Sequence, residues 1–308
     1  MKIVFMGTPE FAVPTLENLY NKGYDIPLVI TQPDKRKGRG KKTQFNPVKQ
    51  KALDLNIGIF QPENINSEES IARINEYNPD FIVVVAYGQI LKESILNIPK
   101  YDCLNIHASL LPHYRGAAPL NWVIINGEKE TGVTIMKMSK GLDSGDMLIK
   151  KTIPITIDDD SITIHDKLSK IGSELIINAI ELIISEIAVY SPQNNEESSH
   201  APMLDKELGK IDWCKSGFEI QRLVKGLKPW PMAYTIYKDQ QVKIHEIQIE
   251  LKEHTKEFGL INEVSNDGIW VAVKDGYVII KKLQFPGKKA MVIKNYLMGN
   301  KIDENYIL

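Results

Sequence analysis

The sequence predicts an α/β protein, with a Rossmann-like, doubly wound and mostly parallel sheet followed by a small β-barrel. Three observations support this prediction. Strand and helix patterns alternate through the first half of the chain, and residues 81–86 form an apolar run without interruption. Such runs are typical of parallel strands that are covered on both faces. After a polar, proline-bearing stretch at residues 190–204, short strand patterns separated by turn signals replace the alternation.

The elements of the first half follow from local signals. Thr8-Pro9 is typical of a helix entry with Thr8 as N-cap, and Asn46-Pro47 repeats that entry for a helix ending near residue 56. A long helix from Ser161 to about residue 187 follows three aspartates, whose charge favours a helix N-terminus. The pattern predicts an amphipathic helix at 67–77, and strands at 2–6, 26–31, 57–60, 80–86, 104–108, 132–138 and 147–155.

The second half is predicted to form a separate domain. We expect a first domain over residues 1–189, a linker at 190–204 and a second domain over 205–308. Turn signals such as Asn266-Asp267-Gly268 favour a barrel of the oligonucleotide-binding (OB) type. Its predicted elements are a helix at 216–225 and strands near 233–238, 241–250, 258–264, 268–274 and 276–285.

Length and composition exclude several classes of protein. The 308 residues are enough for two domains with separate cores, and 43% of them are hydrophobic. Cys103 and Cys214 are far apart and have no metal-site spacing, so we expect no metal and a reducing compartment. No apolar run approaches the ~18 residues of a membrane span, and no signal-peptide pattern is present. The sequence therefore predicts a cytoplasmic protein.

One segment of the chain is strongly basic. Residues 34–51 contain eight Lys or Arg side chains against a single acid, although the net charge of the whole chain is −1. Residues 34–46 have glycine breaks and no apolar periodicity, which predicts a loop rather than a helix. This loop follows the second predicted strand, at the edge of the sheet where ligands bind. We expect it to contact a polyanion through Lys35, Arg36, Lys37, Arg39, Lys41 and Lys42.

Three polar residues are predicted to converge at strand and loop ends. Asn105 and His107 are two positions apart on a predicted strand, so their side chains point to the same face. Asp143 arrives from a separate turn between two glycines. An amide, an imidazole and a carboxylate suit acyl-type transfer, because they can stabilise an oxyanion, move a proton and orient or charge the imidazole. A lone Asn-x-His pair more often satisfies a turn, but the proline- and glycine-bearing loop that follows favours a site.

Motifs along the whole chain support a family resemblance. They are Phe5-Met-Gly-Thr-Pro-Glu-Phe11, Gln32-Pro-Asp34, Gly38-Arg-Gly-Lys-Lys42, Ala86-Tyr-Gly-Gln89, the Asn105-to-Asp143 segment with its Leu-Asp-Ser-Gly-Asp turn, and Lys228-Pro-Trp-Pro231. Together they resemble the 10-formyltetrahydrofolate-dependent formyltransferases. The basic loop and the second domain indicate a member that acts on initiator methionyl-tRNA, with no departure from the family pattern at the catalytic positions.

The resemblance implies a reaction and a catalytic set. The formyl group of 10-formyltetrahydrofolate would pass to the α-amino group of initiator methionyl-tRNA, giving N-formylmethionyl-tRNA for translation initiation. Asn105 and a protonated His107 would stabilise charge on the formyl oxygen. Asp143 would keep His107 charged, and could also relay the amine proton through water. Residues 1–189 would be the catalytic domain, and residues 205–308 would bind tRNA.

The resemblance also implies binding residues. The family binds its folate largely through backbone groups and apolar walls, and the matching positions here are Ser109, Leu110, Leu111, Pro112, Ala86, Tyr87, Gly88, Gln89, Ile90 and Leu91. Arg39, between two glycines, matches the family's loop arginine. Phe11 and Trp122 are candidates to contact a methionine side chain, with a core position as the alternative for each. We interpret Trp230 as buried in a rigid turn, and we expect a monomer.

Three interpretations remain open at this point. The first is formylation of methionyl-tRNA, and the second is a related formyl enzyme that acts on a small amine or hydrolyses the formyl folate. The third is a nucleic-acid-binding module with an idle α/β domain. A small-substrate enzyme has no need of the basic loop or the second domain, and a module without activity has no need of the three polar residues.

Overall fold

A computed structural model describes residues 1–37 and 42–308, with side chains described outside residues 35–44. The described chain divides into two compact units. The first comprises Met1–Pro119, Glu130–Pro154 and His165–Ala201, and the second comprises Leu120–Lys129, Ile155–Ile164 and Pro202–Leu308. The predicted domain limits at residues 189 and 205 stay predictions.

The strands in chain order are β1 (Lys2–Gly7), β2 (Asp25–Ile30), β3 (Lys35–Lys37), β4 (Lys42–Gln44), β5 (Gly58–Phe60), β6 (Phe81–Val85), β7 (Asp102–His107), β8 (Arg115–Gly116), β9 (Glu130–Lys137), β10 (Met147–Pro154), β11 (His200–Ala201), β12 (Tyr234–Tyr237), β13 (Gln240–Leu251), β14 (Ile261–Ser265), β15 (Gly268–Val273), β16 (Gly276–Gln284) and β17 (Met291–Val292). The helices are α1 (Val13–Asn21), α2 (Pro47–Asp54), α3 (Glu68–Asn75), α4 (Glu93–Leu96), α5 (Pro119–Ile125), α6 (Ser161–Ile184), α7 (Gly217–Gly226) and α8 (Ile293–Leu297), with 3₁₀ turns at Glu10–Ala12, Asn195–Glu197 and Glu207–Gly209.

The first unit is built on a seven-stranded sheet in the order β10-β9-β7-β6-β1-β2-β5. The strands from β7 to β5 are parallel, whereas β9 and β10 run antiparallel at one side. All five residues of β6 are buried, as the unbroken apolar run predicts. The predicted Rossmann-like, mostly parallel sheet is confirmed, and the carboxyl ends of its parallel strands meet at one edge.

The start of the first helix differs from the prediction. Thr8 does not cap a helix, because a 3₁₀ turn follows it and α1 begins only at Val13. Its hydroxyl instead donates to the carbonyl of Tyr87 at 2.9 Å and accepts from the Gln32 amide at 3.3 Å. The predicted cap at Asn46 is confirmed, since its side chain accepts from the Lys49 amide.

The second unit contains an antiparallel sheet in the order β12-β13-β16-β15-β14, with β17 added to β16. Its core includes Trp213, Val242, Val271 and Val278, all nearly inaccessible to solvent. Helix α7 begins with a capping box between Ser216 and Glu219. The predicted succession of one helix and five strands is confirmed, while β17 and α8 were not predicted, because such short elements have no periodicity to detect.

Candidate active site

Strand β7 brings Asn105 and His107 to one face of the sheet. The strand lies between β6 and β9, where Asn105 is opposite Val84 and Met136. Asn105 and His107 retain only 8% and 5% of their accessible surface. Polar side chains this deeply buried require partners or a ligand, because an unmet hydrogen-bonding group in the interior costs free energy.

His107 has a hydrogen bond on one nitrogen and a carboxylate near the other. Its Nε2 atom lies 2.9 Å from the carbonyl oxygen of Tyr114, and its Nδ1 atom lies 3.7 Å from Oδ2 of Asp143. A carbonyl can only accept, so Nε2 carries a hydrogen and donates it. Nδ1 is therefore the nitrogen that can gain or release a proton at this site.

Asp143 is held by the backbone of a separate loop. Its Oδ2 atom accepts a hydrogen bond from the Gly116 amide at 2.9 Å. The residue itself has a φ of 46°, in the left-handed region that Asp tolerates better than most residues. Two positions later, a Cβ on Gly145 would lie 1.8 Å from the carbonyl oxygen of Lys137, so only glycine fits there. Gly145, one of the two glycines that suggested a turn in the sequence, therefore has a steric role.

The Asn105 amide is available to a ligand. Within the part of the chain that the structure describes, the Asn105 side chain forms no hydrogen bond. Its polar atoms are not fully buried, so a ligand can reach them. An amide that is accessible, nearly buried and unpaired beside His107 matches the requirement for an oxyanion donor. The structure thus brings together the three residues that the sequence singled out.

The predicted folate segment Ser109–Pro112 is held by side chains from neighbouring strands. The Ser109 hydroxyl donates to the His113 carbonyl at 2.6 Å. Thr134 donates to the carbonyl of Ser109 at 2.7 Å and accepts from the Leu111 amide at 3.1 Å, and Lys150 donates to the Leu111 carbonyl. Burial lowers the pKa of the Lys150 ammonium, and nearby Glu197 opposes this shift. Thr134 and Lys150 were not singled out in the sequence, because one Thr and one Lys within strands carry no distinctive signal.

The second predicted folate segment, residues 86–91, offers mainly backbone. Tyr87 and Leu91 are buried in the core, and the pKa of the Tyr87 phenol is raised by burial. The Gln89 side chain is engaged by the Ile65 amide at 2.9 Å. A ligand at this edge could therefore reach the backbone of residues 86 and 88 and the side chain of Ile90, which is 72% exposed. The assignment of both segments to folate stays a prediction.

The predicted polyanion contacts lie outside the described residues or side chains. Arg39 and Lys41 are not described, and the side chains of Lys35, Arg36, Lys37 and Lys42 are not described either. The backbones of β3 and β4 pair in antiparallel register.

Residues near both ends of the basic segment form a described network with Gln61. Lys49 contacts Asp34 and the Gln61 side chain at 2.7 Å, and Gln61 donates to Asp34 at 3.0 Å. Burial raises the pKa of the Asp34 carboxyl, but the hydrogen bonds from Lys49 and Gln61 outweigh it and leave the pKa lowered. The carboxylate therefore stays ionised, and it ties the entry of the basic segment to helix α2.

The aromatic candidates for substrate contact have other surroundings. Phe11 is 6% exposed and packs edge-on against His165, with ring centroids 5.3 Å apart, so it belongs to the core of the first unit. The Trp122 indole donates to the Pro202 carbonyl at 2.9 Å within the second unit. The prediction that Trp230 is buried is wrong, because 51% of its surface is exposed.

Metal-binding clusters and membrane-spanning helices are both absent from the residues that the structure describes. No group of three or more His, Cys, Asp or Glu side chains is placed to hold a metal ion within residues 1–37 and 42–308. Over the same residues, none of the helices combines the length and apolarity that crossing a membrane requires.

Comparisons with known proteins agree with the geometry. The family model described as "Formyl transferase" matches residues 1–180, and the one described as "Formyl transferase, C-terminal domain" matches residues 203–301. The methionyl-tRNA formyltransferase of Clostridium tetani (strain Massachusetts / E88) is 50% identical over 309 residues, spanning 100% of this chain and 99% of that protein. The enzyme of the same name from Clostridioides difficile (strain 630) is 49% identical over 100% of both chains.

A solved structure also matches over nearly the full length. WlaRD, a sugar 3N-formyl transferase crystallised in the presence of dTDP and 5-N-formyl-THF, aligns with a TM-score of 0.67 at 25% identity. The alignment covers 94% of this chain and 99% of WlaRD.

Proposed function

The chain belongs to the formyl transferase family, and from that premise we propose that it transfers the formyl group of 10-formyltetrahydrofolate to the α-amino group of initiator methionyl-tRNA. The product is N-formylmethionyl-tRNA, the aminoacyl-tRNA with which translation starts. Full-length identity of about one half to proteins named for this reaction supports the choice of acceptor. The observation on which the chemistry depends is the placement of Asp143 3.7 Å from the free nitrogen of His107, beside an unpaired Asn105 amide.

The three side chains suit the attack of an amine on a formyl carbon. The new bond joins the amino nitrogen to that carbon, and the bond between the carbon and N10 of the folate breaks. Negative charge develops meanwhile on the formyl oxygen. The Asn105 amide and a protonated Nδ1 of His107 donate to that oxygen, and each well-placed donor is worth about 2.7–4 kcal/mol.

Asp143 has two functions in this scheme. Its carboxylate lies 3.7 Å from Nδ1 of His107 and orients the imidazole ring. It also accepts, through water, the proton that the amino nitrogen must lose, and the same proton then passes to N10 as the bond between N10 and the formyl carbon breaks. The Gly116 amide keeps one carboxylate oxygen in place during both steps.

The formyl donor is proposed to bind at the carboxyl edge of the sheet. Backbone groups at residues 86 and 88 and the loop Ser109–Pro112 lie next to the ends of β6 and β7, where ligands of open α/β sheets bind. The buried hydrogen bonds of Thr134 fix that loop in advance. The binding residues proposed here are therefore those at which the family resemblance predicted a folate.

We propose that the basic segment binds the acceptor tRNA. Residues 34–51 carry eight cationic side chains, and phosphate neutralisation by such side chains gives affinity without sequence preference. We assign further tRNA contacts to the domain over residues 205–308 and propose a monomer. Because the acceptor takes part in translation, we also propose that the protein is cytoplasmic.

A transfer assay tests the proposed function. Purified protein is given 10-formyltetrahydrofolate labelled in the formyl group, with methionyl-initiator tRNA, methionyl-elongator tRNA or uncharged initiator tRNA as acceptor. We expect label on the charged initiator tRNA, much less on the charged elongator and none on the uncharged tRNA. Absence of label from every tRNA would contradict the proposal.

A further inference from the structure

The side chain of Gln193 joins two loops that hold the catalytic groups. Its Nε2 atom donates to the carbonyl oxygens of Asp143 and Gly145, at 2.8 and 2.7 Å. Its Oε1 atom accepts from Nε of Arg115 at 2.9 Å. One carboxamide thus has three strong hydrogen-bond partners. Both of its amide hydrogens are used, together with one of the two lone pairs of its oxygen.

The Asp143 loop needs an external support. Leu142 is 56% exposed, and Asp143 occupies the left-handed region of φ. Within the loop, one side-chain contact joins the hydroxyls of Ser139 and Ser144 at 3.3 Å. A short exposed loop in this conformation has alternatives close in free energy, so its geometry depends on what binds it from outside.

Arg115 links Gln193 to the other half of the catalytic pair. Arg115 stands between Tyr114, whose carbonyl receives Nε2 of His107, and Gly116, whose amide binds the Asp143 carboxylate. The hydrogen bond from Arg115 to Gln193 therefore connects the loop of residues 114–116 to the backbone carbonyls of the Asp143 loop. The Gly116 amide therefore holds the Asp143 carboxylate, and Gln193 holds the backbone of the same loop.

Gln193 is itself fixed by the segment on which it lies, residues 190–201. Tyr190 donates to Asp102 at the start of β7, and Ser191 forms a backbone bridge with Met147. At the other end, β11 pairs with β8, and the Ser199 hydroxyl accepts from the Tyr114 amide at 2.8 Å. The stretch that the sequence marks as a linker is thus anchored on both sides of Gln193.

We infer that Gln193 is a positioning residue for formyl transfer, which holds the Asp143 carboxylate at its distance from His107 by fixing the loop backbone. Its hydrogen bonds reach the backbone of the Asp143 loop and the Arg115 side chain, rather than the carboxylate of Asp143 or the imidazole of His107. The expected effect of Gln193 on turnover rests on the proposed function, whereas its expected effect on the loop geometry does not. Support of this kind matters because displacement of a catalytic group by about 1 Å can cost roughly 10²-fold in rate.

The test compares two isosteric variants with a control on the same segment. Gln193→Met removes all three hydrogen bonds, and Gln193→Glu keeps the partner of Arg115 but cannot donate to the two carbonyls. Both should lower kcat by about 10- to 100-fold with KM for the formyl donor changed by less than about twofold. Glu196→Gln, an exposed change three residues later, should leave both constants unchanged.

Two further measurements separate positioning from a general loss of structure. In an Asp143→Asn background, Gln193→Met should lower kcat by less than about twofold, because residues acting through one group are not additive. In the otherwise native chain, it should speed hydrogen exchange of the Gly116 amide about tenfold while amides of β6 keep their rates.

The outcomes that overturn the inference are distinct. Unchanged exchange at Gly116, wild-type turnover in Gln193→Glu, or an equal loss with and without the Asp143 carboxylate would each contradict it. If the unsubstituted protein formylates no methionyl-tRNA, the proposed function fails, and the exchange at Gly116 still decides whether Gln193 positions the loop.

Discussion

At the scale of single residues, the surroundings of His107 determine which of its nitrogen atoms can exchange a proton. The Tyr114 carbonyl occupies Nε2, and Nδ1 faces Asp143 at a distance longer than a hydrogen bond. That gap leaves room for a shift of either group when substrate oxygen or water enters. Burial of Asn105 and His107 on one strand face places both side chains where the proposed mechanism requires donors to an oxyanion.

The two cysteines should differ sharply in reactivity. Burial, together with the neighbouring Asp102 carboxylate, raises the pKa of the Cys103 thiol, and only the thiolate is a strong nucleophile. Cys214 is exposed. At pH 8 a thiol reagent should therefore modify one cysteine rapidly in the native protein and both after denaturation. The Cys214→Ser variant should show almost no rapid modification, and rapid modification in that variant would contradict the buried position of Cys103.

Single residues also show what the sequence could not predict. The positions of Asn105, His107 and Asp143 were predictable because strand spacing and flanking glycines are local signals, whereas their catalytic role stays a prediction. The Tyr114 carbonyl, the Gly116 amide and Gln193 were not, since their roles depend on backbone contacts over 7 to 50 residues of separation. A glutamine in a polar, proline-bearing segment is otherwise typical of a linker.

At the scale of elements, Thr8 connects three strand ends at the ligand-binding edge. It follows β1, donates to Tyr87 after β6, and accepts from Gln32 after β2. Sequence reasoning assigned Thr8 to a helix cap, because Thr followed by Pro is common at that position. The Thr8 hydroxyl instead bonds to partners that are distant in the sequence, so the prediction from the local pattern was wrong there. At Asn46, which caps α2, the prediction from the local pattern was correct.

Loss of the Thr8 hydroxyl should weaken this edge. Thr8→Val leaves the Gln32 amide and the Tyr87 carbonyl without their partner, so the free energy of unfolding should fall by about 1–2 kcal/mol. Denaturant titration measures the change. Thr8→Ser, which retains the hydroxyl, serves as the matched control and should lose less than about 0.5 kcal/mol. Equal losses in the two variants would mean that the methyl group, rather than the hydrogen bonds, stabilises the edge.

At the scale of the whole molecule, charge is distributed unevenly. A chain of net charge −1 places eight cations within residues 34–51. The contacts among Asp34, Lys49 and Gln61 join that segment to the sheet edge at which we propose the catalytic site. The sequence predicted the fold class and the strands of the seven-stranded sheet and of β12–β16, because hydrophobic periodicity is a dense signal. The two- and three-residue strands β3, β4, β8, β11 and β17 were not predicted, because elements this short have no periodicity to detect. The connections made by residues 190–201 arise only when distant loops meet.

The basic segment should account for part of the salt dependence of tRNA binding. Arg39→Ala and Lys41→Ala should each weaken binding and reduce the slope of log K against log salt concentration by about 0.7–0.9, the value for one phosphate contact. Lys22→Ala, an exposed change on the same domain, should leave the slope unchanged. Binding curves at several salt concentrations measure this, and equal slopes for all three variants would remove the segment from the tRNA interface.

The single-turnover rate of formyl transfer by Asn105→Ala, with both substrates saturating, tests the proposed chemistry most directly. The unpaired amide lies where charge is expected to develop, so the rate should fall by about 10²- to 10³-fold, while the dissociation constant for the formyl folate should change by less than about twofold. A rate close to that of the unsubstituted protein would show that no oxyanion forms beside Asn105 and His107, and would contradict the mechanism.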